Sequence, residues 1–584
     1  MNIHKELQKT QQFIQKNNLK EAILCLDKIT KKFPMQPIAL QQQAQIYLQL
    51  KKNDLAEIAL EKLDTIAFNL NVIQNLIILK YELDKLDESE TFIKKILQND
   101  ANNYIGLLYQ AKIARARKDY LLAEQKYQLM LKIYTHDVLV HINYGYLLNE
   151  MEAYEKAIEV YKQGEKLTNK DPGLYYNMGV TYLNMEEDVN AEICFKKAIQ
   201  LGVQNVDPYI NLSSIYFRRS DLNSSQEIIN QGLQLAPNNP ILLNQLALNY
   251  AYESNYEISE TLYRRALTIK PDYVKANYGL SMNLLMQKKF NEFKTYYRWR
   301  TRDQENIKSF QNIFDDFDIE SIQGYKKIIF YYEQGIGDQL FFSRFLKKIN
   351  KEIILVSSPK TKLFLEKNLK NIRVIGQFEY ENSYKNDDQY LRINLASVIR
   401  FIDEKDIIET KKELYQAYEN KDKKIAKQNN YRIGISWKSR EDLFGRSKAL
   451  PIEELILNIT NKEKHDFINL QYGDVQDELD NIKIKHKVNI LNYKDIDITN
   501  EINDLANLIL SCDLVITCSN VTAHVAGLIG KKTILIRPKY YGRLWFWNQD
   551  KNKHSFWYPS IKIIENENNE WPKIFARINS EIEK

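Results

Sequence analysis

The sequence predicts a multidomain α + α/β protein, in which an α-helical repeat superhelix precedes a two-lobed Rossmann-like α/β domain. Small residues recur every 34 positions in the first half of the chain. Ten of the 18 glycines lie from Gly324 onwards, where short apolar runs alternate with helical patterns. A chain of 584 residues is also too long for one hydrophobic core, so at least two domains are expected.

The repeat is clearest between residues 145 and 284. A small residue recurs every 34 positions, a large apolar residue follows three positions later, and another small residue follows twelve positions later. The three sets are Gly145, Gly179, Ser213, Ala247 and Ser281; Leu148, Tyr182, Tyr216, Tyr250 and Leu284; and Ala157, Ala191, Ser225 and Ser259. Small residues let two antiparallel helices approach closely, and large ones fill the groove to the next pair.

This spacing predicts eight or nine helix pairs over residues 1–300, followed by a linker over residues 301–324. Ala22 and Ala56 keep the spacing in a slightly shifted phase, and the pattern is weakest near residues 70–105. The alternative is a helical bundle without a repeat. A superhelix of helix pairs normally binds a peptide or protein in its concave groove.

The second half predicts parallel sheets covered by helices on both faces, because apolar strands alternate with helical patterns. We expect lobes over residues 325–400 and 431–584, joined by a helical connector over residues 401–430. Ligands of such folds bind at the carboxyl ends of the strands, so the site should lie between the lobes. The predicted strands are Lys327–Tyr332, Glu352–Ser357, Ile372–Ile375, Arg432–Trp437, Phe467–Gln471, Val488–Leu491, Leu514–Thr517, Lys532–Ile536 and Ile561–Ile564.

Composition excludes several classes of protein. A net charge of +6 is too small, over this length, to indicate a nucleic-acid-binding protein. The four cysteines have no CxxC spacing, which argues against a disulfide framework or a zinc site. The polar start lacks the apolar core of a signal peptide, and no run approaches the roughly 18 apolar residues of a membrane span. We therefore expect a cytoplasmic protein without a membrane span.

The stretch "EQGIGDQLFFSRFL" places Gly335, Gly337 and Asp338 directly after the first strand. A dinucleotide fingerprint would need a third glycine where Leu340 stands and an acid after the second strand, so NAD is excluded. What remains is a turn that lets the backbone approach a ligand. Asp338 is then either an N-cap or a functional carboxylate at a helix start.

Two further stretches suit an anion. "RIGISWKSR" places Lys438 and Arg440 just past a strand end, where cations could meet a pyrophosphate or form a solvated basic loop. "DLVITCSNVTAHVAGLIGK" runs from a strand through two N-cap residue types into a short helix. The free N–H groups of such a helix form an anion site. His524, one turn inside it, is either a structural histidine or a ligand contact.

An aromatic segment follows, "YYGRLWFWNQDKNKHSFWYPS", which contains three of the six tryptophans. Its rings either pack between the lobes or form a stacking wall for a base or sugar.

The 34-residue pattern resembles tetratricopeptide repeats. The later motifs, in order over residues 325–565, resemble bacterial glycosyltransferases of the GT-B fold, close to the heptosyltransferase family (glycosyltransferase family 9) and most like its repeat-fused variants. "IGISWKS", "INLQYGD" and the anion-helix stretch resemble the strands and donor-phosphate helix of its carboxyl lobe. Tetratricopeptide repeats joined to a GT-B module also resemble protein O-GlcNAc transferases, which favours a protein acceptor.

The resemblance implies that Asp338 is the general base and that a nucleotide-sugar donor lies between the lobes. Heptosyltransferases carry an aspartate where this chain has Ser519, so the transferred group (hexosyl, heptosyl or N-acetylhexosaminyl) stays open. The donor-binding residues that it implies are Gly335, Gly337, Ser436, Lys438, Gln471, Ser519, Asn520, Val521, Thr522, Ala523 and His524.

These observations predict metal-independent transfer of a sugar to a hydroxyl of a protein held by the repeats, or of a surface glycan. No DxD-like pair follows a strand, so no cofactor and no essential metal are expected. The alternative is a non-catalytic repeat scaffold with a degenerate GT-B domain.

Overall fold

A computed structural model describes residues 2–302, 325–332, 335–385, 387, 389–417, 430–439, 448–540, 543–567 and 570–583. The predicted linker from residue 303 onwards, much of the predicted connector and Arg440 lie outside these ranges. The chain forms two compact units, Met1–Leu212 and Ser213–Lys584. None of the described helices is long and apolar enough to cross a membrane.

Helix pairs fill residues 2–302, and this range contains no strand, which confirms the sequence prediction. The first helices of the nine pairs are Ile3–Gln15, Pro37–Gln49, Leu70–Glu82, Tyr104–Ala116, Val138–Glu150, Pro172–Asn184, Asp207–Arg218, Pro240–Tyr252 and Val274–Met286. The second helices are Leu19–Lys32, Asn53–Ile66, Leu86–Asn99, Tyr120–Ile133, Tyr154–Leu167, Asp188–Gln200, Leu222–Leu235, Tyr256–Ile269 and Phe290–Tyr297.

The small residues of the repeat make room for rings of the second helix, as the sequence predicted. A Cβ atom added at Gly179 would lie 2.7 Å from Cε1 of Phe195, sixteen residues later. The second small position forms a recurring hydrogen bond: Ser259 Oγ donates to the carbonyl of Ala247 at 2.7 Å, and Ser225 Oγ to that of Ser213 at 2.9 Å. Helix pairs of this kind are therefore joined by both packing and a buried hydroxyl.

Two residues after the end of each first helix stands a residue of left-handed conformation, and these residues are spaced 34 apart with one exception. They are Asn17, Lys51, Asp84, Lys118, Glu152, Glu186, Ser220, Ser254 and Lys288. The step from Lys51 to Asp84 is one residue shorter, because the connection after helix Asn53–Ile66 has three residues where its neighbours have four. This deletion explains the shifted phase of Ala22 and Ala56.

An ion cluster around a buried lysine lies within the first unit. The ammonium of Lys80, 1% exposed, is hydrogen-bonded to carboxylates of Glu57, Glu61 and Glu88. Lys85 also donates to Glu57, at 2.6 Å. Burial alone would lower the pKa of Lys80 and raise that of Glu57, but their hydrogen bonds reverse both directions. Both groups are therefore charged in the folded protein.

The second unit contains two parallel sheets. The strands are β1 Lys327–Tyr331, β2 Glu352–Val356, β3 Arg373–Ile375, β4 Tyr390–Asn394, β5 Tyr431–Ser436, β6 His465–Asn469, β7 Ile490–Leu491, β8 Leu514–Thr517, β9 Thr533–Pro538 and β10 Ile561–Asn566. The four-stranded sheet has the order β3-β2-β1-β4, and the six-stranded sheet has the order β10-β9-β8-β5-β6-β7. The helices after Tyr297 include Ile336–Ser343, Pro359–Asn368, Gln377–Ser383, Glu404–Thr410, Ile452–Leu457, Gln476–His486, Ile502–Leu510, Val521–Leu528 and Trp571–Ile582.

All nine predicted strands are present to within two residues, but the prediction missed β4. Its sequence, "YLRIN", has two aliphatic residues and follows a run of Asn, Asp and Lys, so its hydropathy is low. β4 pairs in parallel with β1 at the edge of the smaller sheet. The larger sheet, numbered from β5, has the order 3-2-1-4-5-6 of a doubly wound parallel sheet, with its switch point between β5 and β8.

The last repeats share a hydrophobic core with the α/β part, which is why the boundary between units falls at Ser213 and not near residue 300. Leu285, Phe293, Phe345 and Trp547 belong to one apolar cluster. The guanidinium of Arg300 also donates to Ser397 Oγ of the first lobe at 2.7 Å.

Candidate functional site

Polar side chains meet at the switch point of the larger sheet, where β5 and β8 end. Asn520 Nδ2 donates to Ser436 Oγ at 2.7 Å, and Ser436 Oγ donates to Gln471 Oε1 at 3.0 Å. Thr522 Oγ1 lies 3.3 Å from Ser436 Oγ and donates to the carbonyl of Leu470 at 3.2 Å. Four predicted donor-binding residues are therefore joined in one buried network.

Gln471 fixes the loop that leaves β5. Its Oε1 also accepts hydrogen bonds from the backbone N–H groups of Trp437 and Lys438, both at 2.9 Å. The glutamine is 1% exposed, so its role in this network is to hold the loop.

Helix Val521–Leu528 begins at the same place, and Asn520 is its N-cap. Asn520 Oδ1 accepts hydrogen bonds from the Ala523 N–H at 3.3 Å and from Thr517 Oγ1 at 3.1 Å. Within the described part of the chain, the N–H groups of Val521 and Thr522 have no acceptor. They form the positive end of the helix dipole, which favours an anion.

Ser519 stands one residue before that cap and is 3% exposed. Its hydroxyl accepts a hydrogen bond from Nε1 of Trp547 at 2.7 Å. The position where heptosyltransferases are expected to carry a carboxylate therefore holds a hydroxyl bonded to an indole.

His524 is buried, with 4% of its surface exposed, and its Nδ1 lies 2.9 Å from the Tyr558 hydroxyl. Burial, together with the positive charges of Arg344 and Lys448, lowers the pKa of His524 to about 3. The imidazole is therefore neutral near pH 7 and contributes no positive charge to a phosphate site.

The Gly335–Asp338 turn of the first lobe packs against this histidine. A Cβ atom added at Gly337 would lie 2.6 Å from His524 Cδ2 and 3.0 Å from its Nε2. The backbone of helix Ile336–Ser343 thus faces helix Val521–Leu528 directly. The two motifs that the sequence placed across a cleft are brought together.

Asp338 does not cap its helix. The N-cap is Gly335, and Asp338 is the third residue of helix Ile336–Ser343, half-buried. The N-cap interpretation of Asp338 is therefore wrong, because the sequence analysis did not consider that glycine can also be an N-cap. Burial raises the pKa of Tyr558, and the negative charge of Asp338 adds to this effect.

The two basic residues after β5 have different surroundings. The ammonium of Lys438 forms an ion pair with Glu478, whose other oxygen accepts from Trp437 Nε1 at 2.7 Å. Lys448, which the sequence analysis missed, is 5% exposed, and its positive charge helps to lower the pKa of His524. A search for every cation between β5 and the next helix would have found it.

The aromatic segment packs between the lobes. Trp547, Trp557 and Tyr558 are each at most 2% exposed. The ring of Phe341 lies edge-on to those of Trp545 and Trp557, with centroids 5.2 Å away in each case. Packing is therefore the role of these three rings, and Trp545 is the half-exposed member of the segment's tryptophans.

The close approach of Gly337 to His524 gives a testable expectation. Gly337→Ala should push the two helices apart, because the added Cβ would overlap the His524 ring. Overpacking of this kind typically costs 1–3 kcal/mol. We expect a lower midpoint of urea unfolding.

Gly335→Ala is the matched control, because its added Cβ would lie 3.5 Å from Asp338 Oδ2, an ordinary contact distance. His524→Ala should partly rescue Gly337→Ala by removing the ring. Equal effects of the two alanine substitutions would contradict the assigned packing.

Comparison with known families identifies the helix pairs. A model described as "TPR repeat" matches residues 145–185, and one described as "Tetratricopeptide repeat" matches residues 38–70 and 172–201. Tetratricopeptide repeats thus occupy about the first 290 residues of the chain, as the sequence predicted.

Individual relatives match parts of the chain. Protein FlbA of Caulobacter vibrioides is 28% identical over 136 residues, which are 23% of this chain and 22% of FlbA. The chain therefore spans about a fifth of the length of that curated relative.

Two solved structures are similar at 17% identity. A tetratricopeptide repeat protein from Parabacteroides merdae has a TM-score of 0.37 over 42% of this chain and 98% of its own. YrrB, described as "a TPR protein with an unusual peptide-binding site", has a TM-score of 0.27 over 31% of this chain and 93% of its own.

Proposed function

We propose that the α/β part is a GT-B glycosyltransferase domain with two Rossmann-like lobes, which moves a sugar from a nucleotide sugar to an acceptor hydroxyl. One observation carries the proposal. Helix Val521–Leu528 begins at the switch point of a doubly wound sheet with two N–H groups that have no acceptor among the described residues, and its His524 packs against Gly337 of the turn that bears Asp338. An anion site opposite a carboxylate is what transfer from a nucleoside diphosphate requires.

In this mechanism Asp338 acts as the general base. Its carboxylate takes the proton of the acceptor hydroxyl while the acceptor oxygen bonds to the anomeric carbon. The bond from that carbon to the diphosphate oxygen breaks, and its electron pair leaves with the nucleoside diphosphate. The N–H groups of Val521 and Thr522 stabilise the charge that develops there.

We assign the cation of the diphosphate site to Lys448 and not to Lys438. Lys448 is 5% exposed and its charge acts on His524, one turn inside the anion helix, whereas the side chain of Lys438 is 32% exposed. A buried ammonium and a helix N-terminus both favour a bound dianion. Because these groups supply positive charge, the proposal includes no essential metal and no cofactor other than the nucleotide sugar as co-substrate.

The acceptor is a protein or peptide held by the repeats, or a surface glycan, and the proposal places the reaction in the cytoplasm. Arrays of helix pairs present extended concave surfaces that suit a peptide. YrrB, similar in its helices, is described as having a peptide-binding site, which is in keeping with a peptide ligand.

The second candidate is a repeat scaffold with a degenerate α/β part. The internal bonds of Ser519 to Trp547 and of His524 to Tyr558 favour it, because both side chains are already engaged.

The deciding experiment screens the purified chain against UDP-, GDP-, ADP- and CMP-linked sugars by calorimetry and by donor hydrolysis. Transfer chemistry predicts that one donor binds and is slowly hydrolysed, whereas a scaffold binds none. Lys448→Ala should weaken nucleoside diphosphate binding, most clearly at low salt. Lys438→Ala, the matched control, should weaken it less.

A further inference from the structure

A cavity of about 360 Å³ lies between the last repeats and the α/β part of the second unit. Helix Val274–Met286 lines it with Tyr278, Met282 and Met286, whose spacing of four residues places them on one helical face. Leu544 and Trp545 close it from the carboxyl lobe. Its walls are therefore largely aromatic and aliphatic, and both parts of the unit contribute to them.

Two asparagines line the same cavity. Asn283 is 2% exposed, and its Nδ2 has no hydrogen-bond partner within the described part of the chain, although its Oδ1 accepts from Gln287 at 2.6 Å. Asn244 is 9% exposed. An unsatisfied buried donor costs about 1–3 kcal/mol, so the amide of Asn283 indicates a ligand that brings a carbonyl acceptor.

Among the described residues that line the cavity, both charged side chains are positive. These are Lys275 and Arg543. The guanidinium of Arg543 lies 5.4 Å from the Tyr252 ring and donates to the carbonyl of Ala251 at 3.2 Å, which holds it at the rim. Charge complementarity therefore calls for a carboxylate beside the apolar part of the ligand.

We propose that this cavity binds a peptide segment in which a large apolar side chain, such as Phe or Leu, stands next to Asp or Glu. The side chain fills the aromatic cavity, the peptide carbonyl accepts from Asn283, and the carboxylate meets Lys275 and Arg543. A neutral glycan offers hydroxyls to the tyrosines and asparagines of the cavity but no negative charge to Lys275 and Arg543.

The cavity is also connected to the candidate catalytic turn. Trp545 contacts Phe341, which follows Asp338 by three residues on helix Ile336–Ser343. Two residues later in the same segment, Trp547 donates to Ser519. A peptide held here would be fixed relative to both sides of the donor site, so we infer that it is the acceptor. This last step rests on the proposed glycosyl transfer, whereas peptide binding itself does not.

The test uses the full chain and fluorescein-labelled hexapeptides Gly-Ser-Glu-Phe-Ser-Gly, with Phe→Ala and Glu→Gln analogues, in fluorescence anisotropy. We expect the parent peptide to bind and each analogue to bind at least tenfold more weakly. Met282→Glu should weaken the parent peptide at least tenfold. The matched control is Ile258→Glu, at a site that is 44% exposed and does not line the cavity.

Lys275→Glu, at an exposed position, provides a second variant with little risk to the fold. It should abolish the preference for the Glu peptide over its Gln analogue. The proposal is overturned if the parent peptide does not bind, if it binds Met282→Glu as well as the natural chain, or if a chitobiose disaccharide displaces it. Peptide binding without uptake of any nucleotide sugar would leave the cavity assignment standing and overturn glycosyl transfer alone.

Discussion

Asp338→Asn should lower the turnover number of sugar transfer by on the order of 10²–10⁴, the usual contribution of a general base. The amide has nearly the same size as the carboxylate but cannot accept the acceptor proton. Gly335 is the N-cap, so the start of helix Ile336–Ser343 does not depend on this side chain as a cap. The loss of its negative charge near the helix N-terminus costs only about 0.3–1 kcal/mol.

Turnover and donor affinity are measured on the same preparation, with the donor found by the nucleotide-sugar screen. Donor affinity should be unchanged, since the anion site lies on the opposite lobe. Asp406→Asn is the matched control, because Asp406 also lies in the first turn of a short helix, Glu404–Thr410. If Asp338→Asn retains turnover within a few-fold, Asp338 is not the base.

Lys80→Ala should lower the free energy of unfolding by about 3–5 kcal/mol, the typical cost of removing one partner from a buried ion pair. Oxygen atoms of Glu57, Glu61 and Glu88 lie within 4.8 Å of one another and would repel once the ammonium is removed. Lys85 still neutralises part of the charge on Glu57, so the lower end of that range is the firmer expectation.

Urea unfolding followed by circular dichroism measures this effect. Lys95→Ala is the matched control, because Lys95 and Asp64 form a 2.5 Å ion pair in which the lysine is 39% exposed, and exposed pairs contribute only about 0–1 kcal/mol. In the folded chain the pKa of Glu57 is below its usual value, so this stabilisation is present above that usual value and is lost as the pH falls through the lowered one. Equal costs for both variants, or an undiminished difference between them in acid, would contradict the assigned cluster.

The repeats could be predicted because their small and large residues pack within one helix pair or against the next, and recur every 34 positions. Even the weak region near residues 70–105 follows the rule: Ser89 Oγ donates to the carbonyl of Ile77 at 2.9 Å, which is the bond that Ser225 and Ser259 form. The pattern was hidden by large Ile77 at a position that is small elsewhere, and by the one-residue deletion before Leu70.

The site could be predicted only in part. Ser436 ends strand β5, and Gln471 and Asn520 follow the neighbouring strands β6 and β8, so their order in the sequence already places them at one edge of the sheet. The bond from Trp547 to Ser519 and the buried position of Lys448 depend on how loops fold back over that edge. Sequence periodicity contains no information on such long-range loop contacts.

The left-handed residues that follow the first helices are positions where the stability of the repeats could be engineered. None of the nine is glycine, although an L-residue in this conformation costs roughly 1–2 kcal/mol. Glycine would relieve that strain at some expense in chain entropy. Because the positions recur through the array, glycine substitutions could raise the thermal stability of the repeats at several independent sites. These substitutions could be introduced one helix pair at a time, without altering the buried aromatic rings.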